Sequence, residues 1–200
     1  LTDKNIIKMK RFFLIAAVAL CSLMTSCSTY NNMVSKEEAV NAAWGNVQTQ
    51  YQRRADLIPN LVNTVKGYAA HEQNTLEAVV EARAKATSIN FTAEELTPEK
   101  LDEFQQAQGE VRSALGRLIA VAENYPDLKA NQNFLELQAQ LEGTENRIAV
   151  ARTQFNNAVN AYNVSVRKFP ANLVAMMFSF EQKPYFEADG GSVQAPAVEF

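Results

Sequence analysis

The only histidine of this 200-residue chain, His71, is followed directly by Glu72. A zinc-protease helix combines such a His-Glu pair with a second histidine four residues after the first, so that both imidazoles face one ion. Position 75 holds Thr75, and the further nitrogen or sulfur ligands that a zinc site needs are missing as well. The pair therefore predicts a solvated histidine on a polar helix face rather than a metal site.

Other sequence patterns that carry catalysis are also missing. The chain contains no G-x-S-x-G, no P-loop and no dinucleotide-binding fingerprint. Its carboxylate pairs, such as Glu94-Glu95 and Asp102-Glu103, fall on faces that we expect to be exposed, where they favour solubility. We predict no catalytic residue, no metal, no cofactor and no enzyme activity.

Two charged residues occupy positions where apolar side chains are expected. Arg54 and Glu72 fall on the apolar stripe of the first predicted helix, about 27 Å apart along a continuous helix, so they cannot pair with each other. An unpaired buried charge is costly, so each needs a partner on another helix. The natural partners lie on the third predicted helix: Glu145, Arg147 and Arg152.

These charges allow two interpretations. They are either interhelical ion pairs that fix the register of the bundle, or parts of a polar groove that binds a peptide or a partner helix. In the second interpretation, the candidate interaction residues are Arg54, Asp56, His71, Glu72, Glu145, Arg147 and Arg152.

The first helix is predicted over residues 35–87. Ser35 and Glu38 form a capping-box pattern, and apolar residues then recur at spacings of three and four. Pro59 removes one backbone hydrogen bond within this pattern and clashes with the preceding turn. Because no Gly or Asn-Gly turn signal accompanies it, we predict a kinked helix rather than a hairpin at this point.

Two further long helices follow. Thr97-Pro98-Glu99 supplies an N-cap, a first-turn proline and a first-turn acid for the second helix, which Pro126 ends. The third helix has an unbroken stripe over residues 134–169, and its 3.5-residue repeat predicts coiled-coil-like packing. Its core positions include Leu141, Ile148 and Phe155.

The predicted fold is all-α: an elongated antiparallel bundle of three long helices, the first kinked at Pro59, plus a short C-terminal helix. The low counts of glycine and proline, 7 and 6, agree with long helices. The second helix is about half as long as the first. Part of the apolar seam therefore lacks a partner, unless the first helix folds back at Pro59 or another molecule covers it.

The C-terminal region divides at Pro170, which ends the third helix. Residues 171–180 are strongly apolar, and we predict that Met176, Met177, Phe178 and Phe180 cap the core of the bundle. Insertion into a membrane is the alternative, which the absence of Lys and Arg from this segment disfavours. Residues 182–200 contain two glycines and two prolines without periodicity and are predicted to be a flexible tail.

The N-terminus is predicted to be a targeting segment. Residues 12–24 are apolar but too few for a spanning helix, which takes about 20, and a basic cluster at Met9-Lys10-Arg11 precedes them. We interpret Met9 as the true start. The run that ends at Cys27 resembles a lipobox, where bacteria acylate the cysteine and cut before it; an uncleaved anchor or an ordinary signal peptide is the alternative. The predicted organisation is a signal peptide over 1–26, a lipidated Cys27 and tether over 27–35, a helical bundle domain over 36–181, and the tail.

Cleavage before Cys27 leaves 15 of the 19 basic and 21 of the 22 acidic side chains, a formal charge near −6. This charge argues against a nucleic-acid partner, which requires a basic face. Cys21 is lost with the signal peptide, so the mature chain has neither a free thiol nor a disulfide.

Several segments resemble the signature motifs of the LemA family: residues 53–72, 125–131, 144–152, 168–173 and 185–187. The resemblance covers about residues 30–187. It implies an elongated helical bundle outside the cytoplasm, held by one N-terminal hydrophobic segment, with no established catalytic residues and a scaffold role beside other envelope proteins. This chain departs from the family pattern in its anchor, since a lipobox replaces a retained spanning helix.

These features favour a non-enzymatic envelope scaffold or interaction protein, anchored in the membrane by its lipid, that presents a binding surface to another envelope protein or to itself. We expect it on the periplasmic face of the outer membrane, because Ser28 rather than an aspartate follows Cys27. An enzyme or regulator of an envelope protease or hydrolase is one alternative, and a membrane-remodelling helical rod is another. An enzyme requires a pocket with converging titratable groups, whereas a scaffold requires an exposed apolar seam.

Overall fold

The computed structural model describes residues 2–187, with the side chains of residues 28–187. Every regular element in that part of the chain is a helix, so the predicted all-α fold is confirmed. These residues divide into two compact units: a smaller unit of residues up to 39 and 160–182, and a larger unit of residues 40–159 and from 183 onward. The helices are α1 (Thr2–Lys66), α2 (Gln73–Ser88), α3 (Pro98–Ala122), α4 (Pro126–Lys129), α5 (Gln132–Arg167) and α6 (Ala171–Met177).

An aromatic cluster forms one part of the core of the larger unit. Trp44 stacks on Phe91 with ring centroids 5.0 Å apart, and its indole N–H donates to the Phe91 carbonyl oxygen at 3.1 Å. The rings of Phe104 and Phe155 lie 5.3 and 5.7 Å from that of Trp44. The core positions predicted on the third helix are buried, which confirms that stripe: Leu141, Ile148 and Phe155.

The first helix ends earlier than predicted. Instead of continuing to residue 87, α1 stops at Lys66, and a turn over residues 67–72 leads into α2. The two helices form an antiparallel hairpin, because Gln48 bonds to the Phe91 carbonyl and Arg83 bonds to the Ala55 carbonyl. The fold-back therefore occurs after Pro59 and not at it. It supplies the missing partner for the seam of α1, since Leu76 and Val79 of α2 share a core with Ile58 and Leu61.

Pro59 lies inside α1, so the chain continues through it as a helix, as predicted, rather than turning back in a hairpin. A proline has no N–H to donate to the carbonyl four residues earlier, which here is that of Ala55. Arg83 of α2 donates its Nε–H to this carbonyl oxygen at 2.7 Å. The hydrogen bond that α1 lacks within itself is thus replaced by one across the hairpin.

The bounds of the second and third predicted helices are close to those observed. Thr97 is the N-cap of α3, and its hydroxyl accepts from the Lys100 N–H at 3.3 Å, with Pro98 in the first turn. The third predicted helix, residues 134–169, corresponds to α5 (Gln132–Arg167). The single-turn helix α4 between them was not predicted.

In the smaller unit, α1 is helical through residues 28–35, which were predicted to form a tether. No glycine or proline occurs between residues 2 and 44 to interrupt the helix. Met33 is buried, and Tyr30 packs against Phe178 and Phe180 with ring centroids 4.8 and 5.6 Å apart. Tertiary packing therefore begins only a few residues after Cys27. The side chains of the predicted signal peptide and the Cys27 side chain lie outside the described residues.

The C-terminal segment packs for longer than predicted. A flexible tail was expected from residue 182, but Phe186 is buried in the larger unit with its ring 5.3 Å from that of Phe155. The Asn156 side chain accepts from the Phe186 N–H at 2.9 Å and donates to its carbonyl oxygen at 3.0 Å. Residues 183–187 are thus fixed as an extended strap, and residues 188–200 lie outside the described part of the chain.

Candidate functional site

Arg54 is the buried charge on which the site is built. It lies on α1 with only 2% of its surface exposed. Its Nη1 donates to Glu145 Oε1 at 2.7 Å, and its Nη2 donates to the carbonyl oxygen and the side-chain oxygen of Gln108 at 3.0 and 2.5 Å. The guanidinium also lies 5.1 Å from the ring centroid of Tyr51. The predicted partnership between Arg54 and the third helix is therefore confirmed for Glu145.

One nitrogen of this guanidinium is left over. Arg54 Nε is buried and has no hydrogen-bond partner among the described residues. A buried donor without a partner costs about 1–3 kcal/mol, and more when the group is charged. The ion pair with Glu145 alone therefore does not account for the burial of Arg54.

Arg54 lines a groove of about 630 Å³ bounded by α1, the end of α2, and α3. We call this the arginine groove, because its lining carries the charged residues Arg53, Arg54, Arg83 and a single carboxylate, Asp56. Arg53 is exposed and forms no ion pair within the described residues, whereas Asp56 accepts a hydrogen bond from Gln52 at 2.7 Å. The lining therefore carries more arginines than carboxylates, and its exposed side chains include Gln52, Arg53 and Asp56.

His71 and Glu72 lie elsewhere, in the turn between α1 and α2. His71 is exposed. Glu72 is partly buried and accepts from the Tyr125 hydroxyl at 3.1 Å, a contact that raises the pKa of Tyr125. The prediction that Glu72 pairs with an arginine of the third helix is wrong, because α1 ends at Lys66 and its stripe does not continue to residue 72.

The two predicted arginines of the third helix have different surroundings. Arg147 is exposed and borders a shallow hollow of about 290 Å³ apart from the arginine groove. Arg152 holds the C-terminal strap: it donates to Gln105 Oε1 at 3.2 Å and to the Glu187 carbonyl oxygen at 2.7 Å, and lies 4.9 Å from the ring centroid of Phe186. The seven candidate residues thus do not form one site. Arg54 and Asp56 line the groove, and Glu145 pairs with Arg54. The others lie in the turn (His71 and Glu72), at the hollow (Arg147) and at the strap (Arg152).

Two groove residues were not predicted. Arg83 has the sequence context of an ordinary surface arginine on α2, and only the unpaired carbonyl created by Pro59 could have indicated that a donor was required. Gln108 sits on the buried face of α3, where a glutamine on an apolar stripe was the available signal.

Two further observations concern the described residues alone. They contain no group of three or more His, Cys, Asp or Glu side chains placed to hold a metal ion. None of their helices combines the length and the apolar character that crossing a membrane requires.

The fold and the groove define an all-α helical domain with a cationic surface groove. Residues 43–200 match the model of the LemA family, which is more than half of the chain, and the protein belongs to that family. The chain is similar to magnetosome protein MamQ 2 of Paramagnetospirillum magneticum, at 29% identity over 182 aligned positions that cover 82% of this chain and 67% of the relative.

Two more relatives are similar to most of the chain. Magnetosome protein MamQ of Magnetospirillum gryphiswaldense is 29% identical, with 86% of this chain and 71% of the relative covered. Protein LemA of Metamycoplasma hominis is 23% identical, with 79% and 68% covered. The resemblance of the sequence motifs to the LemA family is confirmed by these matches.

Proposed function

We propose that this chain is a non-enzymatic interaction protein of the bacterial envelope, anchored by a lipid on Cys27, whose arginine groove binds an acidic segment of a partner protein. The observation that carries the proposal is the excess of arginine along the groove, where the exposed Arg53 and the half-buried Arg83 share the lining with a single carboxylate, Asp56. A carboxylate of a bound segment would pair with Arg53, which is exposed and forms no ion pair within the described residues.

The charge of the groove supports an acidic occupant. Arg53 and Arg83 carry positive charge along the same lining, whereas Asp56 is its one carboxylate. Arginine presents a fork of donors that fits carboxylates, so a segment rich in Asp or Glu matches this surface in charge and in geometry.

The composition of the groove favours binding over catalysis. General acid–base catalysis requires titratable groups that converge on one point, whereas this lining has a single carboxylate and no histidine. The alternative of an enzyme or protease regulator therefore has no specific support from this groove.

The proposed anchor rests on the lipobox-like run before Cys27 and on the resemblance of the family to envelope proteins held by an N-terminal hydrophobic segment. In this proposal the mature chain begins at Cys27 and lies on the periplasmic face of the outer membrane. The lipid keeps the groove close to other envelope proteins, which raises their effective concentration at the groove.

The test uses a photo-crosslinking amino acid at Gln52, an exposed residue of the groove lining, in living cells. The expected product is a crosslinked protein whose attached peptide, identified by mass spectrometry, carries Asp or Glu. Arg53→Glu should strongly reduce the yield without changing the melting temperature, because Arg53 is exposed and unpaired among the described residues. The matched control is the same probe at Leu135, an exposed position on α5 away from the groove. Equal yields at both positions, or no effect of Arg53→Glu, would remove the groove as the binding surface.

A further inference from the structure

Large apolar side chains lie exposed around α6 in the smaller unit. Phe169, Met176 and Met177 are each 77% exposed, and Leu173 and Phe178 are 55% and 53% exposed. We call these five residues the α6 patch. The prediction that Met176, Met177 and Phe178 cap the core is wrong, because all three are exposed and Ala175 is the buried residue of α6. Phe180, predicted with them, is half-buried against the ring of Tyr30. A cluster of this kind marks a surface that contacts something other than water.

Tyr30 connects the patch with the proposed lipid site. Tyr30 follows Cys27 by three residues of the same helix, which corresponds to about 4.5 Å of rise along its axis. The Tyr30 ring is 4.8 Å from that of Phe178. An acylated Cys27 would therefore hold this part of the smaller unit at the membrane surface, within reach of the acyl boundary.

Charges beside the patch fit an anionic lipid surface. Arg167 and Lys168 directly precede Phe169, both are exposed, and neither forms an ion pair within the described residues. Glu181 is exposed just beyond the patch, so the flanking side chains carry two positive charges against one negative charge. An apolar surface bordered by Lys and Arg is the composition that lies in the interface of a bilayer, with its apolar side chains roughly 5–10 Å deep.

We infer that the α6 patch inserts into the lipid interface beside the acyl anchor and acts as a second membrane contact. This inference rests on the lipid anchor of the proposed function. The occupant is the bilayer rather than a second copy of the chain, because the anchor confines the patch to the bilayer surface. Two contacts hold the smaller unit in one orientation on the membrane, whereas an acyl group alone would let this unit rotate relative to the bilayer.

The experiment uses the mature lipoprotein reconstituted in vesicles of phosphatidylethanolamine and phosphatidylglycerol. Met177→Cys carries an environment-sensitive nitrobenzoxadiazole dye, and an acylated Cys27 does not react with the dye. The control carries the dye at Val150→Cys, an exposed apolar position on α5. We expect nitroxide-labelled lipids to quench the dye at residue 177 and not at residue 150, and aqueous dithionite to reduce it several-fold more slowly at residue 177.

A charge placed in the patch provides the second variant. Met176→Glu, added to Met177→Cys, should abolish the lipid quenching, because a carboxylate does not enter the acyl region; Val150→Glu in the same background should not. The fold should tolerate both changes, since both side chains are exposed.

Each outcome has a distinct meaning. Equal lipid quenching at residues 177 and 150 with an acylated Cys27 overturns the membrane contact alone. Protection of residue 177 from dithionite without lipid quenching shows that a second copy covers the patch, and this also overturns the inference. An unmodified Cys27, detected by mass spectrometry of the purified protein, overturns the anchor of the proposed function and the inference with it.

Discussion

Burial is uneven in the ion pair between Arg54 and Glu145: the arginine is 2% exposed and the carboxylate 36%. Removing one partner of a buried pair leaves the other charge stranded, which typically costs about 3–5 kcal/mol. Solvent already reaches Glu145, so Coulomb attraction contributes less here than in a sealed pair, and the larger cost is the desolvation of Arg54.

Glu145→Ala should therefore lower the free energy of unfolding by about 3 kcal/mol, the lower end of that range. Glu145→Gln should cost less, because its amide oxygen still accepts from Arg54 Nη1. The control is Glu142→Ala, an exposed residue one turn earlier on α5, with an expected change within about 0.5 kcal/mol. Urea denaturation measures all three. A loss for Glu145→Ala as small as that of Glu142→Ala would show that Arg54 does not depend on this carboxylate.

Tyr162, in the smaller unit, is fully buried, and its hydroxyl has no hydrogen-bond partner among the described residues. Burial, with the negative charges of Glu37 and Glu181, raises its pKa from 10.0 to about 12. Between these values the unfolded chain has released the tyrosine proton and the folded chain has kept it. The unfolded state binds fewer protons, so the free energy of unfolding falls as the pH rises from 10 to 12.

Tyr162→Phe should remove this alkaline loss of stability. At pH 7 the variant should be at least as stable as the parent, because it deletes a buried hydroxyl that has no partner. Urea titrations at pH 8, 10 and 11 give the comparison, and contributions from the other tyrosines cancel between the two proteins. The same decline with pH in both proteins, or a large loss for the variant at pH 7, would contradict the buried, unbonded hydroxyl.

At the scale of elements, the α1–α2 hairpin is tied by a hydrogen bond that exists because of Pro59. Arg83→Ala leaves the Ala55 carbonyl without a donor, which should cost about 1–3 kcal/mol. In a Pro59→Ala background, the new backbone N–H can bond to that carbonyl, so the same Arg83→Ala change should cost less. The four proteins form a double-mutant cycle measured by urea denaturation.

Lys85→Ala serves as the control for this cycle, because its ion pair with Glu110 is exposed and should contribute little. Pro59→Ala alone should not destabilise α1, since a proline inside a helix is itself unfavourable. An equal cost of Arg83→Ala with and without Pro59 would mean that the proline does not create the need for Arg83.

The elements whose bounds were predicted well are those with start or stop residues in the local sequence. Thr97-Pro98 marks the start of α3, and Pro170 limits α5. The α1–α2 turn has one local mark, Gly67 directly after Lys66, but the buried residues Val65, Ala69, Leu76 and Val79 keep helical spacing across it. Periodicity therefore extended α1 too far, and with it assigned Glu72 to a helix face.

The candidate site, too, could be predicted only where a local sequence pattern indicated it. A charge on an apolar stripe demands a partner, and this argument found the Arg54–Glu145 pair. Arg83 and the strap at Phe186 depend on where distant segments meet, and no local pattern encodes this. For the strap, the aromatic pair Tyr185-Phe186 inside a supposed tail was the available signal.

At the scale of the whole molecule, the proposed function depends on Cys27. Cys27→Ala should prevent acylation and leave an unprocessed precursor or a soluble protein, as seen by mass spectrometry and membrane fractionation. Cys21→Ala should leave lipidation intact, because Cys21 lies within the segment that the proposed cleavage before Cys27 removes. A Cys27→Ala protein of full mature size that still partitions with membranes would exclude the lipid anchor.

The C-terminal strap has one more consequence, which is spectroscopic. Trp44 is the only tryptophan of the chain, and its ring contacts both Phe91 before α3 and Phe186 of the strap, whose ring centroid is 6.1 Å away. Its emission should be blue-shifted in the folded chain and move to longer wavelength in Phe186→Ala, as water reaches the indole. Since no other tryptophan contributes, this intrinsic fluorescence reports in real time, without an added dye, whether the strap is docked.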